Sequence, residues 1–480
     1  MLDLTIIRSF PPEKPLSTRE WDRQAQEFVK ALASIAESFW TASFGKQNIL
    51  DHLNPATHTL PYLFALGTQT PPIGFRTKTE EWLERVVLFL VSFDPVQVRY
   101  AGDAWKVLMD GAFQAFTELV IADLSPLSTA MLRLDPTAGT FTSYHLQFVR
   151  LCLVHGTPSR ALPLLDKTIY AFPQAPAKYP LEELRNENRE LSNGFITARS
   201  GFAGAVTSET VLEYYLLGAH IYIGLRNYAR ARLFLECVIL MPSPHHVCSA
   251  FQVEAYRQWI LLGLLAEGAQ YPALRNLDPL ISKSLRATSK PYQALAEDYE
   301  KRDWRKFQAE LDVGYQIWTV DGNLQLVQEV GHALFRSRVA DLQRVYAALP
   351  MHQVASILSM PASVAQQMIQ NMIHGGYLSA AILPSAEHSD GVLRFHGTSN
   401  TGPAPAAQPG FDLENKTKRL EVLVGHIKEA DRRLRLTKEF VDHHKKTKKL
   451  GTDLDGEWAD HMDLSWEAPP EEGDEDLMAV

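Results

Sequence analysis

The sequence predicts a mainly α protein: a solenoid of helical repeats, then a winged-helix subdomain, then one long C-terminal helix. Three observations predict it. Apolar residues recur at helical spacing through most of the chain. An aromatic, small-residue, aromatic signature returns in the middle. A helix, helix, turn, helix, hairpin pattern runs from Asp341 to His396. At 480 residues the chain has room for about two or three domains. With 46% hydrophobic and 21% charged residues it is ordinary globular material. No apolar run reaches the roughly 18–20 residues a membrane span needs. Met1 to Pro15 has no pattern of charge, apolar core and cleavage site, so no secretory leader is expected.

Residues 1–135 are expected to form an N-terminal helical region. Trp21 to Trp40 places Phe28, Leu32, Ile35 and Phe39 on one face. Leu53, Leu60, Tyr62, Leu63 and Leu66 follow, with turn formers at Asn54 and Pro55. Gly67 to Thr77 reads as a loop, Glu80 to Phe93 as an apolar helix, and Val96 to Ile121 as one or two more. Asp135 to Gly139 is a break, and no regular strand pattern stands out.

Residues 136–320 carry the repeat. Gly156 and Ala161 are matched by Gly224 and Ala229, at twice a period of about 34 residues. Tyr214, Leu217, Gly218, Phe234 and Pro242 have spacings that resemble the tetratricopeptide pattern. Gly218 lets paired helices approach and the aromatics fill the space between them. A third copy is Tyr292, Leu295, Ala296 and Tyr299 with Trp304 and Phe307; its Arg302-Asp303-Trp304 mirrors Arg226-Asn227-Tyr228. The fold expected here is therefore a tetratricopeptide-like stack. Residues 173–208, with three prolines, a charged run and three glycines, read as a long mobile loop interrupting it.

Residues 321–397 hold the wing. Leu342, Val345 and Leu349 recur on one helix face beside Tyr346, and Pro350 ends that helix. Val354, Ile357 and Leu358 mark a short helix, and Ser359-Met360-Pro361 a tight turn. Ala362 to Ile373 is the last helix, capped by Gly375-Gly376. Tyr377 to Leu383 and Val392 to Phe395 form the hairpin. A winged helix of this kind either reads DNA or docks on protein. The would-be recognition helix has no Lys or Arg, so it lacks the cations that DNA phosphates require. That favours docking, with Val392, Leu393 and Phe395 on an outer strand open to another chain.

Residues 398–410 read as a linker and 411–450 as one helix. Leu413, Leu420, Ile427, Leu434 and Val441 are spaced by seven, with Leu423 and Ala430 as partial second positions. So narrow a seam needs partner helices, and a multi-subunit helical bundle is the expected setting. Twelve basic residues against six acidic ones flank it from Glu414 to Lys449, interleaved as on a solvated face. Residues 451–480 form an acidic tail, expected to be disordered. From Asp453 onward it holds eleven Asp and Glu and no Lys or Arg, so the net charge of −9 leaves the rest of the chain at −9 + 11 = +2.

Chemistry-bearing motifs are missing. There is no phosphate loop, no nucleophile elbow, and no His-Glu-x-x-His or His-x-His. His220, on an apolar helix, reads as a core or groove residue. Cys152, Cys237 and Cys248 are dispersed and odd in number, which fits a reducing compartment. No catalytic, cofactor-binding or metal-ligating residues are expected, and no enzyme is expected.

Helical repeats running into a winged helix resemble the PCI-domain family, shared by the proteasome lid, the signalosome and a translation initiation factor. The likeness extends to Leu326-Val327, Val354-Ala355-Ser356, Met372-Ile373 and Val392 to His396. It continues at Tyr214-Tyr215 through Gly218, Tyr222, Gly224-Leu225 and Asn227-Tyr228, and at Leu53, Pro55 and His58. These residues look most like the PCI subunits of the COP-nine signalosome. The resemblance implies a non-catalytic scaffold in a complex that removes a ubiquitin-like modifier from cullins and so regulates cullin-RING ligases. The implied partners are other PCI and metalloprotease-type subunits, and cullin-RING ligases indirectly, without membrane or nucleic acid, in nucleus and cytoplasm. A PCI subunit of the proteasome lid or of a translation initiation complex shares the architecture, and a nucleic-acid-binding winged-helix regulator is the alternative of another class.

Overall fold

The computed structural model describes residues 7–12, 17–44, 47–71, 76–174, 192–243, 247–384 and 391–396, with helical positions scattered between 417 and 440. It divides into two units, Met1–His396 and Gly397–Val480. The first unit is mainly helical. Its opening helices are α1 (Thr18–Ala33), α2 (Glu37–Trp40), α3 (Thr59–Thr68), α4 (Arg76–Ser92), α5 (Pro95–Val98), α6 (Gly102–Leu119) and α7 (Ser125–Leu134). Between α2 and α3 lies a two-residue hairpin that the pattern missed, β1 (Ser43–Phe44) with β2 (Gln47–Asn48). The amphipathic α1 starts in a capping box, where Ser17 and Glu20 satisfy each other's backbone N–H.

The stack continues with α8 (Ser143–Val154), the four-residue α9 (Leu162–Leu165), α10 (Ser208–Gly224), α11 (Tyr228–Leu240), α12 (Ala250–Ala266) and α13 (Pro279–Thr288). After these come α14 (Lys290–Glu300), α15 (Trp304–Val313), α16 (Tyr315–Val320) and the 22-residue α17 (Leu324–Val345). Gly218 of α10 meets Phe234 of α11, as the repeat pattern requires. A Cβ built on Gly218 would lie 2.6 Å from the Phe234 ring and 3.1 Å from Leu165. Tyr214, Tyr222 and Phe234 pack edge-on or tilted around that contact. In the third copy Tyr292, Leu295, Ala296, Tyr299 and Phe307 are all buried.

The repeats share one turn. Gly156, Arg226, Arg302 and Gly322 each adopt left-handed backbone, with φ of +66°, +61°, +56° and +70°. In each case the next residue donates its N–H five residues back: Thr157 to Cys152, Asn227 to Tyr222, Asp303 to Asp298 and Asn323 to Trp318. These are Schellman caps, which satisfy carbonyls at the end of the first helix of a pair. They correct the sequence alignment of the repeats. Gly156 corresponds to Arg226 rather than Gly224, and buried Ala161 to buried Ala231 rather than exposed Ala229, a shift of two residues. Gly224 meets nothing within 4 Å of a Cβ.

The expected loop at 173–208 is only partly one. Residues 175–191 lie outside the described residues, but Phe195, Ile196, Phe202 and Ala203 are buried. This stretch packs on the start of α6, where a Cβ on Gly102 would fall 1.7 Å from the Ser200 carbonyl oxygen.

The wing consists of β3 (Ala348–Pro350), α18 (Met351–Leu358), α19 (Ala362–His374), β4 (Ala380–Leu383) and β5 (Val392–Phe395). Leu349, read from its spacing as helical, instead sits in β3, because α17 stops at Val345 and Tyr346 turns to extended backbone. Arg338 of α17 donates to the carbonyls of Ile357 and Leu358 at 2.7 and 3.0 Å, closing the C-terminus of α18. Gly376, at φ +71°, caps α19. One apolar core runs from Ile7 to Leu334 and a second from Phe335 to Phe395, so α17 contributes its first half to one and its second half to the other.

Gly218→Leu is expected to destabilise the chain by about 1–3 kcal/mol or more through overpacking against Phe234. Gly224→Ala is expected to be neutral or slightly stabilising. Calorimetric unfolding of both variants checks the repeat: an unchanged Tm for Gly218→Leu contradicts it.

Candidate subunit interface

The three wing strands form a sheet in the order β3-β5-β4, all antiparallel. Val392, Leu393 and Phe395 therefore lie on the central strand, and their expected position at the outer edge is corrected. Leu393 and Phe395 are buried in the wing core. The physical reason is that β5 finds a second partner in β3, which the helical reading of Leu349 had hidden.

Among the described residues the sheet has two edges, β3 and β4, and the longer one is β4. The ladder register fixes which groups it offers. His396 donates to the Ser379 carbonyl, so hydrogen-bonded pairs alternate from there: Ala381 with Arg394 and Leu383 with Val392 face β5. Ala380 and Ile382 consequently direct their N–H and C=O groups away from the sheet. The β3 edge is shorter and ends in Pro350. The wing also exposes apolar side chains: Leu383 at the end of β4, Tyr377 just before the strand, Val364 on α19 and Ile357 on α18. Arg336 lies over the Tyr377 ring at 5.1 Å. The helix α19 presents Gln, Asn and Met but no Lys or Arg. The wing thus carries a backbone edge with apolar flanks and no cationic recognition helix.

The second candidate surface belongs to the second unit. Leu420, Ile427 and Leu434 lie on helical positions and are 62%, 65% and 54% exposed. Leu423 and Val424 are exposed beside them. Positions three, four and seven apart share one face of a helix, so these five aliphatics make one apolar stripe. Leu413 and Val441 lie outside the described residues, as do the linker at 398–410 and the acidic tail at 451–480.

Among the described residues no group of three His, Cys, Asp or Glu is placed to hold a metal ion. Burial pushes the Cys152 thiol up to about 12 and holds the His145 imidazole down to about 4, which leaves the thiol protonated and the imidazole neutral at neutral pH. His220 lines a groove, as expected, 2.9 Å from the Gln258 amide. The helices among the described residues include none long and apolar enough to cross a membrane. Sequence reasoning missed Ile382 and Ala380 as edge residues; only the strand order, a tertiary fact, identifies them.

A family model described as COP9 signalosome complex subunit 3, N-terminal helical repeats, matches residues 22–281, more than half of the chain. COP9 signalosome complex subunit 3 of Emericella nidulans is 28% identical over 472 residues, covering 94% of this chain and 94% of its own length. The protein of that name in Neurospora crassa is 26% identical over 459 residues, covering 92% and 90%. Those two similarities run through the wing as well as the repeats. The chain belongs to the family of COP9 signalosome complex subunit 3.

Proposed function

We propose that this chain is a non-catalytic scaffold subunit of a signalosome, the complex whose family removes a ubiquitin-like modifier from cullins and so regulates cullin-RING ubiquitin ligases. The observation that carries the reading is the exposed aliphatic stripe of Leu420, Leu423, Val424, Ile427 and Leu434, on a chain of this family. Burying each such side chain is worth roughly 1.5–3 kcal/mol, a gain available only with partner helices. The partners on this reading are other PCI subunits at the wing, metalloprotease-type subunits, and cullin-RING ligases indirectly. The reading puts the chain in nucleus and cytoplasm. A nucleic-acid regulator is disfavoured by the absence of Lys and Arg from α19.

Three outcomes follow. Leu420→Asp with Ile427→Asp leaves the unfolding temperature of the free chain unchanged, because both side chains are solvated there. In reconstitution with the other subunits it abolishes stable incorporation, because unpaired charge in a bundle is costly. Full incorporation, read by native mass spectrometry, contradicts the bundle.

At the wing, Ile382→Pro deletes an outward N–H without touching the β4–β5 ladder. It weakens binding to a neighbouring PCI subunit about fivefold, the worth of roughly 1 kcal/mol for one hydrogen bond. Val392→Pro is no substitute, since the Val392 N–H faces β4 inside the sheet. Calorimetric titration measures the affinity and circular dichroism checks the fold.

The purified chain shows no cleavage of a modified cullin, with or without added zinc, in a gel assay of the substrate. Zinc-dependent cleavage by contaminant-free protein contradicts the scaffold reading.

A further inference from the structure

Away from the wing and the C-terminal stripe, a cleft of about 460 Å³ opens where α10 ends, beside α12 and the start of α17. Its size suits a short peptide or small ligand. Three features of its lining point to one kind of occupant.

The first is the N-terminus of α17. Its N-cap residue, Asn323, makes no side-chain capping bond. The Asn323 amide is turned elsewhere: Nδ2 donates to the Tyr292 hydroxyl at 3.0 Å, and Oδ1 accepts from Gln258 at 3.4 Å. Asn323 therefore does not cap the first-turn N–H groups of this 22-residue helix, and they favour an acceptor such as a carbonyl oxygen.

The second is Gln258, which is only 4% exposed and lies in the cleft lining. Its Nε2 sits 2.9 Å from His220 Nε2, and its Oε1 meets no partner among the described residues. Turning the amide over exchanges which atom is left over and still leaves one. A buried amide in that condition is destabilising until it is answered. A peptide group carries donor and acceptor side by side and answers it in either orientation.

The third is charge. Asp321 is met by Arg257 at 2.6 Å and Glu329 by Arg226. Among the described residues Glu254 has across from it only the His220 imidazole, at 3.3 Å. One carboxylate of the cleft is thus matched by no guanidinium or ammonium group of the described residues, which selects a cation.

We propose that this cleft binds an extended peptide segment of a neighbouring subunit, with its backbone on the α17 N-terminus and Gln258 and a lysine or arginine side chain on Glu254. The proposal rests on the scaffold reading above.

The test is site-specific photo-cross-linking in the reconstituted complex. A benzophenone amino acid replaces Gln325, an exposed residue on the rim. Mass spectrometry then identifies the residues it captures. The expected product joins position 325 to a segment of another subunit within a few residues of a lysine or arginine. Adding Glu254→Gln lowers its yield at least about tenfold, the loss of one charge-assisted contact. Gln258→Leu lowers it as well, in a free chain that circular dichroism shows to be folded. An assembled complex with no intersubunit product at position 325 overturns the proposal alone. So does a product on a segment without a basic residue, or one indifferent to Glu254→Gln. A chain that enters no such complex overturns the scaffold reading and this proposal with it.

Discussion

The structure of the first unit depends on one helix serving two cores. Val327, Val330 and Leu334 of α17 belong to the apolar interior of the stack; Phe335, Val339 and Leu342 belong to that of the wing. The changeover falls between adjacent residues. Trp304 of α15 touches both interiors and meets Phe335 edge-on at 6.4 Å. A helix is stiff over this length because every interior residue is held by its own hydrogen-bond ladder. The direction of α17 in the stack is consequently the direction it brings to the wing. Ion pairs just before it and along it reinforce the seating: Arg257 with Asp321, Arg226 with Glu329 and Arg302 with Asp341. Each is partly solvated, so together they orient more than they stabilise.

That arrangement explains how a subdomain of so few residues keeps a defined sheet. Three strands of three or four residues have little stability in isolation. Here β3 is tethered directly to α17, and Arg338 closes α18 from the same helix. β5 then enters between β3 and β4, with Leu393 and Phe395 packed beneath. The interior strand does the packing and the outer strand β4 remains available.

Much of this was legible in the sequence because it is local. Helical spacing located the helices, the Gly218–Phe234 contact followed from a small residue facing an aromatic, and Gly376 announced the end of α19. The failures share a cause: they depend on partners distant in sequence. Leu349 continues the spacing of Leu342 perfectly well, and only pairing with Leu393 makes it a strand. The order β3-β5-β4 cannot be read from the order of the strands along the chain. The stretch containing Phe195 and Phe202 is rich in loop formers, yet it is held down by α6. The left-handed caps were hidden because glycine is the residue one looks for there, and two of the four are arginine. For the interface, the stripe at Leu420, Ile427 and Leu434 was visible in its seven-residue spacing, whereas the edge at Ile382 was not.

The two left-handed arginines carry a consequence of their own. Holding a residue with a Cβ at positive φ costs roughly 1–2 kcal/mol, and the exposed ion pair each one makes to α17 returns at most about 1 kcal/mol. Replacing either by glycine would exchange a strained backbone for a lost tether, two quantities of similar size and opposite sign. Thermodynamic tolerance at Arg226 and Arg302 therefore says little about their importance. What those positions supply is a pair of tethers from the repeat turns to α17, the helix that stack and wing share.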